Sequence, residues 1–216
     1  MPFYPPLAKF ARRAAFAAAL AFAAPTSAQD KAGDFDFYVL ALGWAPGICA
    51  TLDYDSEQCD GHGFVAHGLW PEYERGYPEY CETKYPTYLP PRILDSVEDL
   101  MPDGGIVGYQ WRKHGVCSGL APEDYFDLLR EAAEKIRLPD SIAEGDRQQS
   151  LTPAKVESAF VSANPGLTTR GMGIECAGNR LTEVRICMTK DLEFRSCPSV
   201  DGDSCRAQSI SVPAVR

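Results

Sequence analysis

The 216 residues include three histidines, and each is followed by glycine: His62-Gly63, His67-Gly68 and His114-Gly115. Two of them sit in chemically dense surroundings. "HGLWPEY" (67–73) places the aromatic face of Trp70 near His67, while "WRKHG" (111–115) sets His114 against Lys113, Arg112 and Trp111. His62 has no such company, and its glycine reads as strand-end punctuation. Two imidazoles with adjacent cations form an acid–base set suited to neutral or mildly acidic pH. A neutral ring takes a proton, a protonated partner gives one, and a lysine offsets the negative charge that grows between them. A phosphodiester next to a free 2'-hydroxyl calls for this set: a base for the hydroxyl, an acid for the departing 5'-oxygen and a cation for the phosphorane oxygens. No metal or other cofactor is required.

Two other chemistries fit some of the same residues. Cys117 follows His114 by three positions, which would suit a cysteine–histidine hydrolase if the thiol were free. A zinc site on His62, His67 and His114 would need a bulge, because residues five apart on a continuous strand face opposite ways.

The elements that must position these groups are partly legible. "FDFYVLAL" (35–42) is a dense apolar run of strand length, and "GFVAHGLW" (63–70) is a second one closed by Pro71. From Trp70 to Pro91 the chain is rich in Tyr, Pro and Glu without a sustained period, which predicts a long structured loop. Ile93, Val97 and Leu100 recur at helical spacing in 91–102. In 121–139, Pro122 suits a first helical turn, acids cluster at its start, and Phe126, Leu129, Ala133 and Ile136 line one face. A third helix is predicted from Pro153 to about Ala163, capped by Thr152. Toward the C-terminus, strand-like segments are parted by Gly178-Asn179 and Lys190-Asp191, as in hairpins. Strands first, helices in the middle and hairpins last predict an α+β fold: a central antiparallel β-sheet with flanking helices in one disulfide-stabilised domain.

Lys9, Arg12 and Arg13 precede an apolar run from Ala14 to Ala24, and Thr26-Ser27-Ala28 supplies small residues at a cleavage point. Residues 1–28 therefore read as a secretory signal peptide, with the catalytic domain occupying 29–216. The apolar run is shorter than the roughly 20 residues that span a bilayer, so no membrane association of the mature form is expected. Cleavage would remove three basic and no acidic residues and take the formal net charge from −9 to −12. Such acidity argues against broad attraction to a polyanion, but leaves room for a small, locally positive site. All eight cysteines lie in the mature part of an exported chain, and four disulfides are the natural reading.

"HGLWPEY" and "QWRKHGVC" together resemble the two active-site segments of the T2 family of ribonucleases. "LALGWAPGICA", "YERGYPEYC" and "LTEVRICMTKDLEFRSCP" also stand where that family has similar stretches. The resemblance implies a metal-independent endoribonuclease that cleaves single-stranded RNA through a 2',3'-cyclic phosphate to 3'-phosphate ends. It implies His114 as general base, His67 as general acid, Lys113 as the cation and Trp70 as a surface for base or sugar-phosphate. Glu72 stands where some relatives carry a base-reading Asp, and Ile106 where many have an aromatic. Tyr109-Gln110 replaces the usual His-Glu: Tyr109 keeps a hydrogen-bond donor for substrate in place of the extra imidazole, while Gln110 can hydrogen-bond phosphate but cannot act as a carboxylate, and its neutrality should lower the pKa of His114. The implied disulfides are Cys49–Cys59, Cys81–Cys117, Cys176–Cys205 and Cys187–Cys197. A monomeric periplasmic or extracellular enzyme is expected. The alternative is a catalytically weak or silent secreted protein that keeps the scaffold for binding or inhibition.

Overall fold

The structure is a computed structural model that describes residues 30–52, 54–143 and 147–215; the signal-peptide reading falls outside them. Its centre is β1 (Phe37–Trp44), flanked by β2 (Phe64–Glu72) and β5 (Arg180–Met188), both antiparallel to it. β4 (Met172–Ala177) forms a hairpin with β5 across Gly178-Asn179, while β3 (Gln149–Leu151) pairs with β6 (Ile210–Val212), which meets β5 in parallel at Arg180 and Ser211. Every residue of β1 is buried. That is why the strand reads as a continuous apolar run rather than an alternating one: it is covered on both faces.

The two faces carry different layers. Tyr38, Leu40, Leu42 and Trp44 point into the main core, which also takes in the apolar sides of the larger helices. These are α2 (Pro91–Val97), α3 (Gly104–Lys113), α4 (Pro122–Glu134) and α6 (Pro153–Ala163). Short helices α1 (Ala45–Cys49), α5 (Asp140–Ala143) and α7 (Pro198–Gly202) fill the connections. On the opposite face Phe37, Val39 and Ala41 join Trp70, the Cys187–Cys197 bridge and Val200 in a thin second layer. This thinner face is where polar groups can reach the sheet.

The observed α+β fold matches the sequence expectation, with shifts at the element ends. β2 runs through Pro71 to Glu72, which an edge strand tolerates because the missing N–H faces no partner. α2 stops at Val97, short of Leu100 and Met101. α4 stops at Glu134, and Ala132 rather than Ala133 completes its buried face with Tyr125, Phe126 and Leu129. Thr152 does cap α6, its hydroxyl accepting from the Lys155 amide at 3.2 Å. α3 was not foreseen. Its first turn is Gly104-Gly105, which masks the helical period, but Asp103 caps it by accepting from the amides of Gly105 and Ile106 at 2.9 and 3.1 Å.

Four disulfides join Cys49 to Cys59, Cys81 to Cys117, Cys176 to Cys205 and Cys187 to Cys197. Cys117 is thus not a free thiol. The Cys81–Cys117 bridge ties the loop after β2 to the turn after α3, and the Tyr80 amide reinforces it by donating to the Lys113 carbonyl at 2.9 Å.

Candidate active site

His67 is set apart by a β-bulge. Gly68 pairs with Ala41 and Ala66 with Leu42, so His67 between them has no partner on β1. The extra residue re-aims its side chain onto the thin face of the sheet. There the ring passes over Gly43, where a Cβ would lie 2.6 Å from its Cε1 and Nε2 atoms. Gly43 pairs with Glu183 on β5, and the absence of a side chain between them lets His67 Nδ1 reach Glu183 Oε2 at 2.9 Å. The other ring nitrogen, Nε2, is 3.1 Å from Gln58 Oε1, on a 3-10 turn (Glu57–Cys59) held by the Cys49–Cys59 bridge.

His114 is placed by α3, whose last turn it closes by donating its amide to the Gln110 carbonyl at 2.9 Å. Its ring stacks on Trp70, with centroids 4.8 Å apart and planes 21° from parallel. Trp70 is held from behind, because its indole N–H donates to Gln110 Oε1 at 3.1 Å. Gly68, at φ 146°, makes room for this indole, whose nitrogen would stand 2.7 Å from a Cβ there. The His114 ring is buried, and its Nδ1 has no hydrogen-bond partner among the described residues. Burial, aided by the charges of Lys113 and Arg185 and opposed by that of Glu183, pushes the pKa of His114 down to about 3. The ring is therefore neutral across the mildly acidic range.

Trp70, Glu72, Tyr77, Lys113, His114 and Arg185 line one cavity of about 270 Å³, closed on its far side by Ser199, Val200 and Asp203 after Cys197. Lys113 Nζ lies 5.5 Å from the centre of the Tyr77 ring and 3.8 Å from Glu79. Burial pushes the Glu72 carboxyl up to about 8 against the opposing pull of Arg185, so near neutral pH it can donate a hydrogen bond. Arg185 stands over the Trp70 ring at 5.2 Å and pairs with Glu183 at 2.8 Å and Glu175 at 2.9 Å. Burial works to raise the pKa of Glu183, but the hydrogen bond from His67 and the charge of Arg185 outweigh it and hold the carboxylate ionised.

The structure gathers most of the residues singled out from the sequence. Trp70, Glu72, Lys113 and His114 share the cavity, and Gln110 stands behind Trp70 rather than facing the open space. His67 does not line this cavity; it borders a separate shallow recess with Gln58 and Ile106. It is linked to the cavity by a chain of contacts through Glu183, Arg185 and Trp70 to His114. Tyr109 is exposed on the outer side of α3, where it hydrogen-bonds Tyr80. His62 lines a separate cavity beside Cys49–Cys59 and Pro213, so the three histidines do not converge. Glu183, Arg185, Gln58 and Tyr77 were not singled out. Glu183 and Arg185 did leave a trace: an acidic and a basic residue at i and i+2 within the otherwise apolar strand "LTEVRICM".

A disulfide-bonded α+β sheet carrying a neutral buried imidazole, a second imidazole on a carboxylate and a lysine has the components of an acid–base enzyme for an anionic ester. Residues 35–197 match the family model of the Ribonuclease T2 family, and the chain belongs to that family and is an endoribonuclease. A ribonuclease of Aeromonas hydrophila is 34% identical over 173 residues, 79% of each chain. Ribonuclease I of Escherichia coli strain K12 is 25% identical over 206 residues, 74% of this chain and 77% of that one. Among solved structures, an RNase-related protein from Calystegia sepium superposes with a TM-score of 0.67 at 22% identity, over 84% of this chain and 98% of that one. RNase NT in complex with 5'-AMP gives 0.62 at 23% identity, with 84% and 98% covered. These last two likenesses concern the fold.

Proposed function

We propose that the chain cleaves single-stranded RNA without a metal, with His114 as general base and His67 as general acid. The neutral His114 ring takes the proton of a 2'-hydroxyl, the 2'-oxygen attacks phosphorus, and the bond from phosphorus to the 5'-oxygen breaks as His67 gives that oxygen its proton. Lys113 offsets the charge on the phosphorane. The product is a 2',3'-cyclic phosphate. Its slower hydrolysis runs the two histidines in reverse, since His114 now holds a proton and His67 lacks one, and it leaves a 3'-phosphate.

The observation that carries this reading is the buried, stacked and neutral His114 beside Lys113 in a cavity that also presents Trp70. Trp70 is buried against His114 and Arg185, so a base would stack instead on the exposed ring of Tyr77 in the same cavity, as unpaired bases do on other proteins, and the complex of RNase NT with 5'-AMP is in keeping with a nucleotide-sized ligand. Glu72, as a neutral acid, would hydrogen-bond an acceptor on that base. The proton transfer to the leaving oxygen requires that Gln58 be displaced from His67 Nε2. The four disulfides belong to an oxidising compartment, and with residues 1–28 read as a signal peptide removed on export, the working enzyme is a periplasmic or extracellular monomer of residues 29–216. Incubating that mature protein with total RNA in the presence of EDTA tests the reading. Fragments ending in 2',3'-cyclic phosphate are expected, and intact RNA, or cleavage only after zinc is restored, would refute it.

A further inference from the structure

We propose that Glu183 is a positioning residue for this reaction: by accepting the Nδ1 proton of His67 it fixes the ring so that Nε2 is the atom that exchanges a proton with the leaving oxygen. The inference rests on the reading of His67 as general acid. It is carried by the geometry around one carboxylate. Glu183 is buried on the central sheet, and its Oε2 takes the His67 proton at 2.9 Å while Oε1 is held by Arg185 at 2.8 Å. Arg185 is itself anchored by Glu175 on β4 at 2.9 Å. With both oxygens engaged, the carboxylate has no freedom to follow a rotating ring.

Two further features support the assignment. Gly43 is the residue that a side chain would turn into a barrier, and it lies in register between Val65 on β2 and Glu183 on β5. Opposite Glu183, Nε2 faces a neutral oxygen, that of Gln58, at 3.1 Å. Both partners are acceptors, an arrangement that the doubly protonated ring satisfies at both nitrogens. The Nδ1 proton is committed to an anion and the Nε2 proton only to a neutral amide oxygen, so Nε2 is the one that a leaving group can claim. The charged groups facing Glu183 are His67 from β2, Arg185 on its own strand and Glu175, which stands directly opposite it on β4 and shares Arg185 with it.

The test compares two substrates that share the attacking 2'-hydroxyl and differ in the leaving group. A 3',5'-dinucleotide expels an alkoxide that needs a proton, whereas uridine 3'-(4-nitrophenyl phosphate) expels a phenolate that does not. Glu183→Ala is expected to lower kcat on the dinucleotide by at least about tenfold with KM little changed, and to leave the aryl ester within about threefold of wild type. Glu183→Gln keeps an acceptor for Nδ1 and should recover part of the loss. Equal losses on both substrates, or none on the dinucleotide, would overturn the role of Glu183 while wild-type cleavage still upholds the reading of His67. A wild-type protein that cleaves neither would overturn that reading itself. Should the variants not fold, nitrogen NMR of wild-type His67 decides: a slowly exchanging, hydrogen-bonded Nδ1 proton is expected, and a freely exchanging one overturns the proposal.

Discussion

The His114 ring lies almost parallel to the Trp70 indole, 4.8 Å away, and this contact explains its protonation state. Stacking removes one face of the imidazole from water, and Lys113 adds a like charge next to it, so the pKa falls to about 3. A general base works only when unprotonated. The acid-side limb of a kcat/KM profile on a dinucleotide should therefore lie well below the ~6.5 of a free imidazole. Measurement between about pH 3 and 8 checks this, and a rise centred near 6.5 would contradict it.

Gln110 bonds Trp70 through its side-chain oxygen and is buried behind it. Gln110→Glu keeps an acceptor for the indole and adds a negative charge near Lys113 and His114. The charge favours protonated His114, so the acid limb should move to higher pH by on the order of one unit. An unchanged profile would mean that the added carboxyl is itself held neutral.

Gly43 has no room for a methyl group, since a Cβ would sit 2.6 Å from the His67 ring. Gly43→Ala should displace the ring from Glu183 and cost the dinucleotide activity on the order of 10²-fold, with a stability loss of about 1–3 kcal/mol from overpacking. Urea denaturation separates the two effects. A folded and fully active variant would show that the His67 position is not critical.

These positions also mark how far the sequence could be read. The dense apolar run of β1 and the capped helix α6 were legible because local composition decides them. The bulge at His67 was not, because it depends on how β2 registers against β1. The partnership of His67 with Glu183 joins residues 116 positions apart, and no local pattern connects them; only the polar pair Glu183 and Arg185 inside an apolar strand hinted at a buried role. Gly104-Gly105 concealed α3, the helix that delivers Gln110, Lys113 and His114 together. The disulfide pairing came from family resemblance, since spacing alone left it open.

Stability should depend on pH in two windows with opposite signs. His114 has a depressed pKa, so the unfolded chain binds the extra proton and stability falls as pH drops from about 6.5 toward 3. Glu72 has a raised pKa, so the folded chain holds the proton and stability falls as pH rises from the ordinary carboxyl value of 4.5 toward about 8. Glu72→Gln, a mimic of the neutral acid, should flatten the second window alone. Urea midpoints at about pH 5 and 9 check this, and an equal alkaline loss in the variant would place its origin elsewhere.

The most direct measurement of the central claim is a cycle of dinucleotide cleavage rates for wild type, His67→Ala, His114→Ala and the double variant. Groups that serve one transition state are strongly non-additive. Each single variant should lose at least about 10²-fold, with the double scarcely slower than either. Wild-type-like cleavage by His114→Ala, or losses that simply multiply, would contradict two rings acting across one scissile bond.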